Sequence, residues 1–93
     1  MIKLYPKKKT LGFQVELPEA ESVALLGDFN NWDATANVMK KNKKGVWRVE
    51  LKLPEGDYQF RYFVDEDHWE NDADVPTVIN EFGSENSLIS VHF

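Results

Sequence analysis

The apolar residues of this chain recur at every second position, in short runs cut by turn signals. That rhythm restricts the possible folds more than any other feature. In residues 11–17, Leu11, Phe13, Val15 and Leu17 alternate with Gly12, Gln14 and Glu16. In residues 46–53, Trp47, Val49, Leu51 and Leu53 alternate with Arg48, Glu50 and Lys52. The longest run puts Tyr58, Phe60, Tyr62 and Val64 on one side and Gln59, Arg61, Phe63 and Asp65 on the other. A period of two marks strands with one face on a core, whereas a helix needs a period near 3.6. Residues 22–29 and 87–93 read as further strands and 38–41 and 68–70 as short ones. Residues 30–37 and 71–83 read as loops, with one helical turn available to Asp33-Ala34-Thr35-Ala36. Asn42-Lys43-Lys44-Gly45 has hairpin-turn chemistry, with glycine where a positive φ is needed.

About seven short strands separated by turns predict an all-β, immunoglobulin-like antiparallel sandwich. The turn Leu53-Pro54-Glu55-Gly56-Asp57-Tyr58 sharpens that expectation. In such sandwiches a tyrosine near the start of strand F bonds back across the preceding corner, and Tyr58 fits that role. Phe60 then stands where an antibody domain carries a cysteine. A five-stranded OB barrel is the competing architecture; a lipocalin-like barrel needs a longer chain. Residues 1–93 read as one domain, with 1–10 as a basic N-terminal arm or an edge strand.

Charge and composition exclude several function classes. The 93 residues carry 11 basic and 16 acidic side chains, a formal charge of -5, and no cysteine. An acidic balance disfavours nucleic acid and anionic membrane as main partners, because both select basic surfaces. Without cysteine there is no disulfide, no thiolate zinc site and no cysteine nucleophile. No apolar run approaches the roughly 20 residues of a membrane span. Met1-Ile2-Lys3-Leu4-Tyr5-Pro6-Lys7 lacks the apolar stretch of a secretory signal, so a cytoplasmic location is expected.

The carboxylates invite a catalytic reading. Asp28 and Asp33 flank Asn30-Asn31-Trp32, and glycoside hydrolysis needs such a pair. A small two-layer sandwich lacks the deep cleft that raises one pKa and excludes water, and both aspartates occupy turn positions. His68 and His92 lie apart and suggest no triad. No catalytic residue is assigned. Six acids between Asp65 and Asp74 could attract calcium, but the EF-hand order is absent, and a solvated acidic loop is the expectation. No metal or cofactor is expected. The lysines at 7–9 and 40–44 are mixed with acids and make no nucleic-acid patch.

The aromatics are more informative. Trp32 lies in the polar stretch 27–33, Trp69 stands between His68 and Glu70, and Phe82 precedes Gly83-Ser84-Glu85-Asn86. Large rings in polar loops either cap the ends of the core or present flat apolar faces to a ligand. Periodicity alone does not separate these uses. A sugar ring, with one C–H face and a rim of hydroxyls, suits such rings flanked by Asn and Arg.

The stretch Val23-Ala24-Leu25-Leu26-Gly27-Asp28-Phe29-Asn30-Asn31-Trp32 resembles the G-[S/D]-F-N-N-W motif of the isoamylase N-terminal, or early set, domain. This is the family 48 carbohydrate-binding module, found also in glycogen-branching enzymes and the beta subunit of AMP-activated protein kinase. The resemblance continues through Met39, Trp47, residues 53–58, residues 60–65, Trp69 and residues 82–87. It covers about residues 11–92. It implies a non-catalytic module for α-1,4-glucan: glycogen, starch or maltooligosaccharide. It further implies that Trp32 and Trp69 stack on glucose rings and that Arg61 and Asn86 donate to hydroxyls. Phe82 would pack beside the sugar, and Ser84 would add a hydroxyl. The family's Asp-Gly turn is here Asp65-Glu66-Asp67-His68, which makes Trp69 the residue whose place is most open. A glycogen-metabolising enzyme acting in trans is the candidate protein partner. The alternative is an interaction or regulatory domain that keeps the fold without sugar binding.

Overall fold

The computed structural model describes residues 1–93. Nine strands form two antiparallel sheets: β1 Ile2–Tyr5, β2 Thr10–Glu16, β3 Val23–Gly27, β4 Lys40–Lys41, β5 Val46–Leu51, β6 Gly56–Val64, β7 His68–Glu70, β8 Thr77–Ile79 and β9 Glu85–Val91. The first sheet runs β1-β2-β5-β4 and the second β3-β6-β9-β8, with β7 also paired to β6. This is the expected sandwich, with more strands than the seven read from periodicity. The N-terminal segment is an edge strand, with Ile2 opposite Phe13 and Tyr5 opposite Thr10. Residues 71–83 are not one loop, since β8 lies within them and pairs Val78 with Asn86. The segment 38–41 changes sheets: Val38 bridges Ala24 in one, while Lys41 faces Trp47 in the other.

The alternation seen in the sequence sorts the side chains. Phe60, Tyr62 and Val64 are buried, as are Leu25 and Val91 on the neighbouring strands of the same sheet and Leu11 and Phe13 on the opposing one. Phe13 and Phe60 meet edge to face at 5.1 Å and Phe60 and Tyr62 at 5.7 Å, geometries that favour aromatic pairs beyond area burial alone. Trp47 is buried, its indole N–H donating to the Leu17 carbonyl at 3.0 Å. The corner predicted at Tyr58 is present: its hydroxyl donates to the Pro54 carbonyl at 2.6 Å. Gly45 has φ +81°, and a Cβ there would lie 2.6 Å from the Pro18 Cβ, so only glycine fits the hairpin.

The acidic segment 65–74 is only partly a solvated loop. Asp72 is buried, where the reading of a solvated loop expects exposure. Its carboxylate accepts from the Tyr62 hydroxyl at 2.7 Å and from the Met1 ammonium at 2.6 Å. Its backbone N–H donates to Ser87 Oγ, which in turn donates to Asn71 Oδ1. The cause lies outside the segment: Tyr62 and Ser87 need partners in the core, and a carboxylate satisfies one of them. Asp65 accepts the N–H groups of Glu21 and Ser22 at 2.7 and 2.9 Å, which lowers its pKa and ties the β6–β7 turn to the β2–β3 connection. No three carboxylates or histidines converge on a point that could hold a metal ion.

That turn carries a local conflict. Asp65 and Glu66 both adopt φ near +55°, a left-handed conformation that costs an L-residue about 1–2 kcal/mol. Asp65 offsets its cost through its two hydrogen bonds, whereas Glu66 is exposed. Glu66→Gly is therefore expected to stabilise the protein by about 1 kcal/mol, net of glycine's extra chain entropy. Thermal melts should show a rise of roughly 4–8 °C. An unchanged or lower Tm would contradict the strain.

Candidate functional site

The stretch Gly27 to Trp32 is built to hold a ring at the edge of the second sheet. Gly27 is extended, and a Cβ on it would lie 2.6 Å from the Gln59 carbonyl oxygen, so β3 and β6 can approach only with glycine here. Asp28, opening a single 3-10 turn, accepts the Gln59 N–H at 2.8 Å. Phe29 turns inward, 5.8 Å from the Phe13 ring and 6.1 Å from Tyr58. Asn30 stitches the loop: its Oδ1 accepts the Gly27 N–H, and its Nδ2 donates to the Leu25 carbonyl and to Asn37 Oδ1. Asn31 and Trp32 then take φ of 56° and 57°. Asparagine tolerates this conformation; a bulky tryptophan does so at a cost. The half-buried Trp32 side chain is thereby turned toward the outer face of β6.

That face carries Gln59, Arg61 and Phe63, opposite in parity to the core residues. β7 folds back alongside it and pairs Trp69 with Phe63. Their rings lie 4.6 Å apart, tilted by 35°, and the Arg61 guanidinium sits 4.8 Å from the Trp69 ring centre. Trp69 remains 40% exposed. The β6–β7 register sets it opposite Phe63. Arg61 Nε is buried and has no partner within the protein.

The third wall is the β8–β9 connection. Asn80 Oδ1 accepts the backbone N–H groups of Phe82 and Ser84 at 2.9 and 3.1 Å, closing a tight loop. Phe82 projects from it, 84% exposed. Its flat apolar face is therefore open to solvent at the groove. Asn86 is buried at the base, between Gln59 and Asn80.

These walls enclose an open groove of about 800 Å³, within the usual range for ligand sites. Trp32, Arg61, Trp69, Phe82 and Asn86 all line it. Of the six residues singled out in the sequence, only Ser84 is not in the lining; its N–H serves the loop. The groove also contains Gln59, Phe63, Leu26, Ile79 and Asn80, to which the sequence reading assigned no role. Gln59 and Phe63 share parity with Arg61, so the alternation already carried that signal. The charged side chains in the lining are Arg61, Asp28 and Glu81, one cation against two carboxylates. A neutral, hydroxyl-rich ligand suits that balance better than an anion.

The carboxylate pair considered for hydrolysis is otherwise engaged. Asp28 holds the Gln59 N–H. Asp33 accepts the backbone N–H and the hydroxyl of Thr35, and these bonds lower its pKa, which is unsuitable for a general acid.

The family model described as the glycogen recognition site of AMP-activated protein kinase matches residues 8–93. The human 5'-AMP-activated protein kinase subunit beta-2 is 37% identical over 71 residues, covering 76% of this chain and 25% of that protein. The rat subunit beta-1 is 35% identical over the same length. The 1,4-alpha-glucan branching enzyme GlgB of Aquifex aeolicus is 37% identical over 81 residues, 82% of this chain and 12% of the enzyme. The chain thus spans a quarter or less of the length of these relatives. No helix in it is long and apolar enough to cross a membrane.

Proposed function

Because the chain belongs to the family of the glycogen recognition site of AMP-activated protein kinase, we propose that it is a non-catalytic module that binds α-1,4-glucan in the groove between Trp32, Trp69 and Phe82. One observation carries this reading: Trp32, Arg61, Trp69 and Phe82 converge on one groove although they come from four separate segments. Trp32 and Trp69 stack on glucose rings, whose C–H faces match flat aromatic surfaces. Arg61, whose guanidinium stands beside Trp69 in the groove lining, donates to a hydroxyl. Asn86 contributes its amide from the groove floor, Phe82 closes over the sugar, and Ser84 offers its hydroxyl at the rim. The ligand is an α-1,4-linked chain such as glycogen, starch or a maltooligosaccharide, the class that the glycogen recognition family suggests. Asp28 and Glu81 disfavour a phosphorylated glucan. A glycogen-metabolising enzyme is the partner that the branching-enzyme relative suggests for such a module.

Titration of maltoheptaose with tryptophan fluorescence tests the reading. Saturable quenching is expected at micromolar to low millimolar sugar, with little response to cellohexaose. A flat maltoheptaose titration at millimolar concentration would overturn it and favour an interaction domain that keeps the fold alone.

A further inference from the structure

The floor of the groove holds three amides in a row, and their orientation is fixed from one end. Asn80 Oδ1 accepts two backbone N–H groups, from Phe82 and Ser84. Backbone nitrogens can only donate, so the oxygen of Asn80 must face them and its Nδ2 must point away. Nδ2 donates to Asn86 Oδ1 at 3.2 Å. The Asn86 amide is thereby oriented in turn, and its Nδ2 donates to Gln59 Oε1 at 3.1 Å. The last amide is left with its NH2 end. Gln59 Nε2 has no partner within the protein, and Gln59 lines the groove. A second observation agrees. The Asp28 carboxylate is held on the Gln59 backbone N–H and lines the same groove, and a negative charge there favours the NH2 end of an amide over its carbonyl.

We propose that Asn80, Asn86 and Gln59 form a one-way amide relay that presents Gln59 Nε2 as a fixed hydrogen-bond donor to a sugar hydroxyl, with Asn80 as the positioning residue. The inference rests on the glucan reading of the groove and adds a contact to it. Most side-chain amides offer a ligand either end, at equal cost. Here a flip of Gln59 would set its NH2 against the Asn86 NH2, and correcting that clash would require flipping all three amides against two backbone donors. The groove floor therefore discriminates polarity: it accepts a hydroxyl oxygen at Gln59 and rejects a group that can only donate. The same two Asn80 bonds hold Phe82 at the rim, so one residue sets both the apolar wall and the polar floor.

The test uses the full chain with maltoheptaose, read by tryptophan fluorescence and by the side-chain amide resonances of 15N-labelled protein. Gln59→Met keeps the length of the side chain and removes the amide; it is expected to weaken binding about tenfold, the equivalent of one hydrogen bond. Asn80→Asp keeps acceptors for the Phe82 and Ser84 N–H groups but replaces the outgoing donor by an acceptor. It should invert Asn86 and then Gln59, and weaken binding by a similar factor. The double variant should bind no more weakly than Gln59→Met alone, because a positioning residue has nothing left to position. In the wild type the Gln59 NH2 protons should shift on titration, a readout that survives any failure of a variant to fold. If maltoheptaose binds and both single variants keep wild-type affinity, the relay is wrong and the glucan reading stands. If the Trp32 indole shifts on titration and the Gln59 NH2 does not, the donor is assigned to the wrong residue. Absence of binding by the wild type overturns both.

Discussion

Trp32→Gly is expected to abolish most glucan binding while leaving the melting temperature within about 5 °C of the wild type. The ring supplies the larger effect. A tryptophan at the centre of a binding surface contributes about 2–3 kcal/mol, so maltoheptaose affinity should fall roughly 30- to 150-fold. The stability argument runs the other way. At φ 57° a tryptophan costs about 1–2 kcal/mol that glycine does not. The variant loses the packing of a half-buried ring, and relief of the backbone offsets much of that loss. Selection for stability alone would place glycine or asparagine at this position, so a tryptophan held there points to a ligand. Trp69→Ala offers a contrast. Trp69 lies in an ordinary strand conformation and packs on Phe63 and under Arg61. Its removal should weaken binding tenfold or more and also release Arg61. Calorimetric titration of both variants, alongside their melts, checks the pair. A Trp32→Gly protein that binds like the wild type, or that unfolds at room temperature, would show the ring to be a core cap.

The difference between these two tryptophans indicates how far a sequence of this kind can be read. From Tyr58 to Val64 the alternation sorts the side chains of β6 correctly, because a strand with contrasting faces leaves no second register, whereas Gly56 and Asp57, with turn chemistry, already belong to the strand. The corner at Tyr58 was legible for a related reason, as its partner lies only four residues away. Local patterns carry local bonds. Strand β8 was not legible: it has three residues, two of them exposed, and owes its existence to pairing with β9. Asp72 was read as one acid among six because its burial depends on Tyr62 and Ser87, which arrive from other strands. The family resemblance supplied what parity could not, namely that Trp32 and Phe82 belong to one surface. It also brought Ser84, which the loop geometry keeps out of the groove lining. Gln59 is illegible for the opposite reason: its parity is plain, but only the bonded chain of amides gives it a direction.

Replacing Asp72 with alanine is expected to cost about 3 kcal/mol of stability at pH 7. The Tyr62 hydroxyl is deeply placed, and burial first, then the Asp72 carboxylate, raises its pKa far above the usual phenol range. Without that carboxylate the hydroxyl keeps only a 3.5 Å contact to the Gln14 carbonyl, too long to replace the lost bond. The Asp74 N–H, which now donates to Asp72 at 2.9 Å, loses its acceptor as well. The pH dependence gives the same residue a second signature. Burial acts to raise the Asp72 pKa, but hydrogen bonds from the Met1 ammonium, Tyr62 and Asp74 outweigh it, and the pKa falls below its ordinary value. A carboxyl whose folded pKa is depressed stabilises fully above its unfolded pKa, about 3.9, and loses that contribution as pH falls through the folded value. Asp33 and Asp65 are lowered too, and Glu50 to about 2, so the wild type should weaken steadily below pH 4. In Asp72→Ala one of these contributions is missing. The gap between the two proteins should be widest near neutrality and narrow toward pH 2. Urea midpoints at pH 7 and pH 2.5 decide it: a gap that stays constant across that range would mean that the carboxylate stabilises the fold by shape and not by charge.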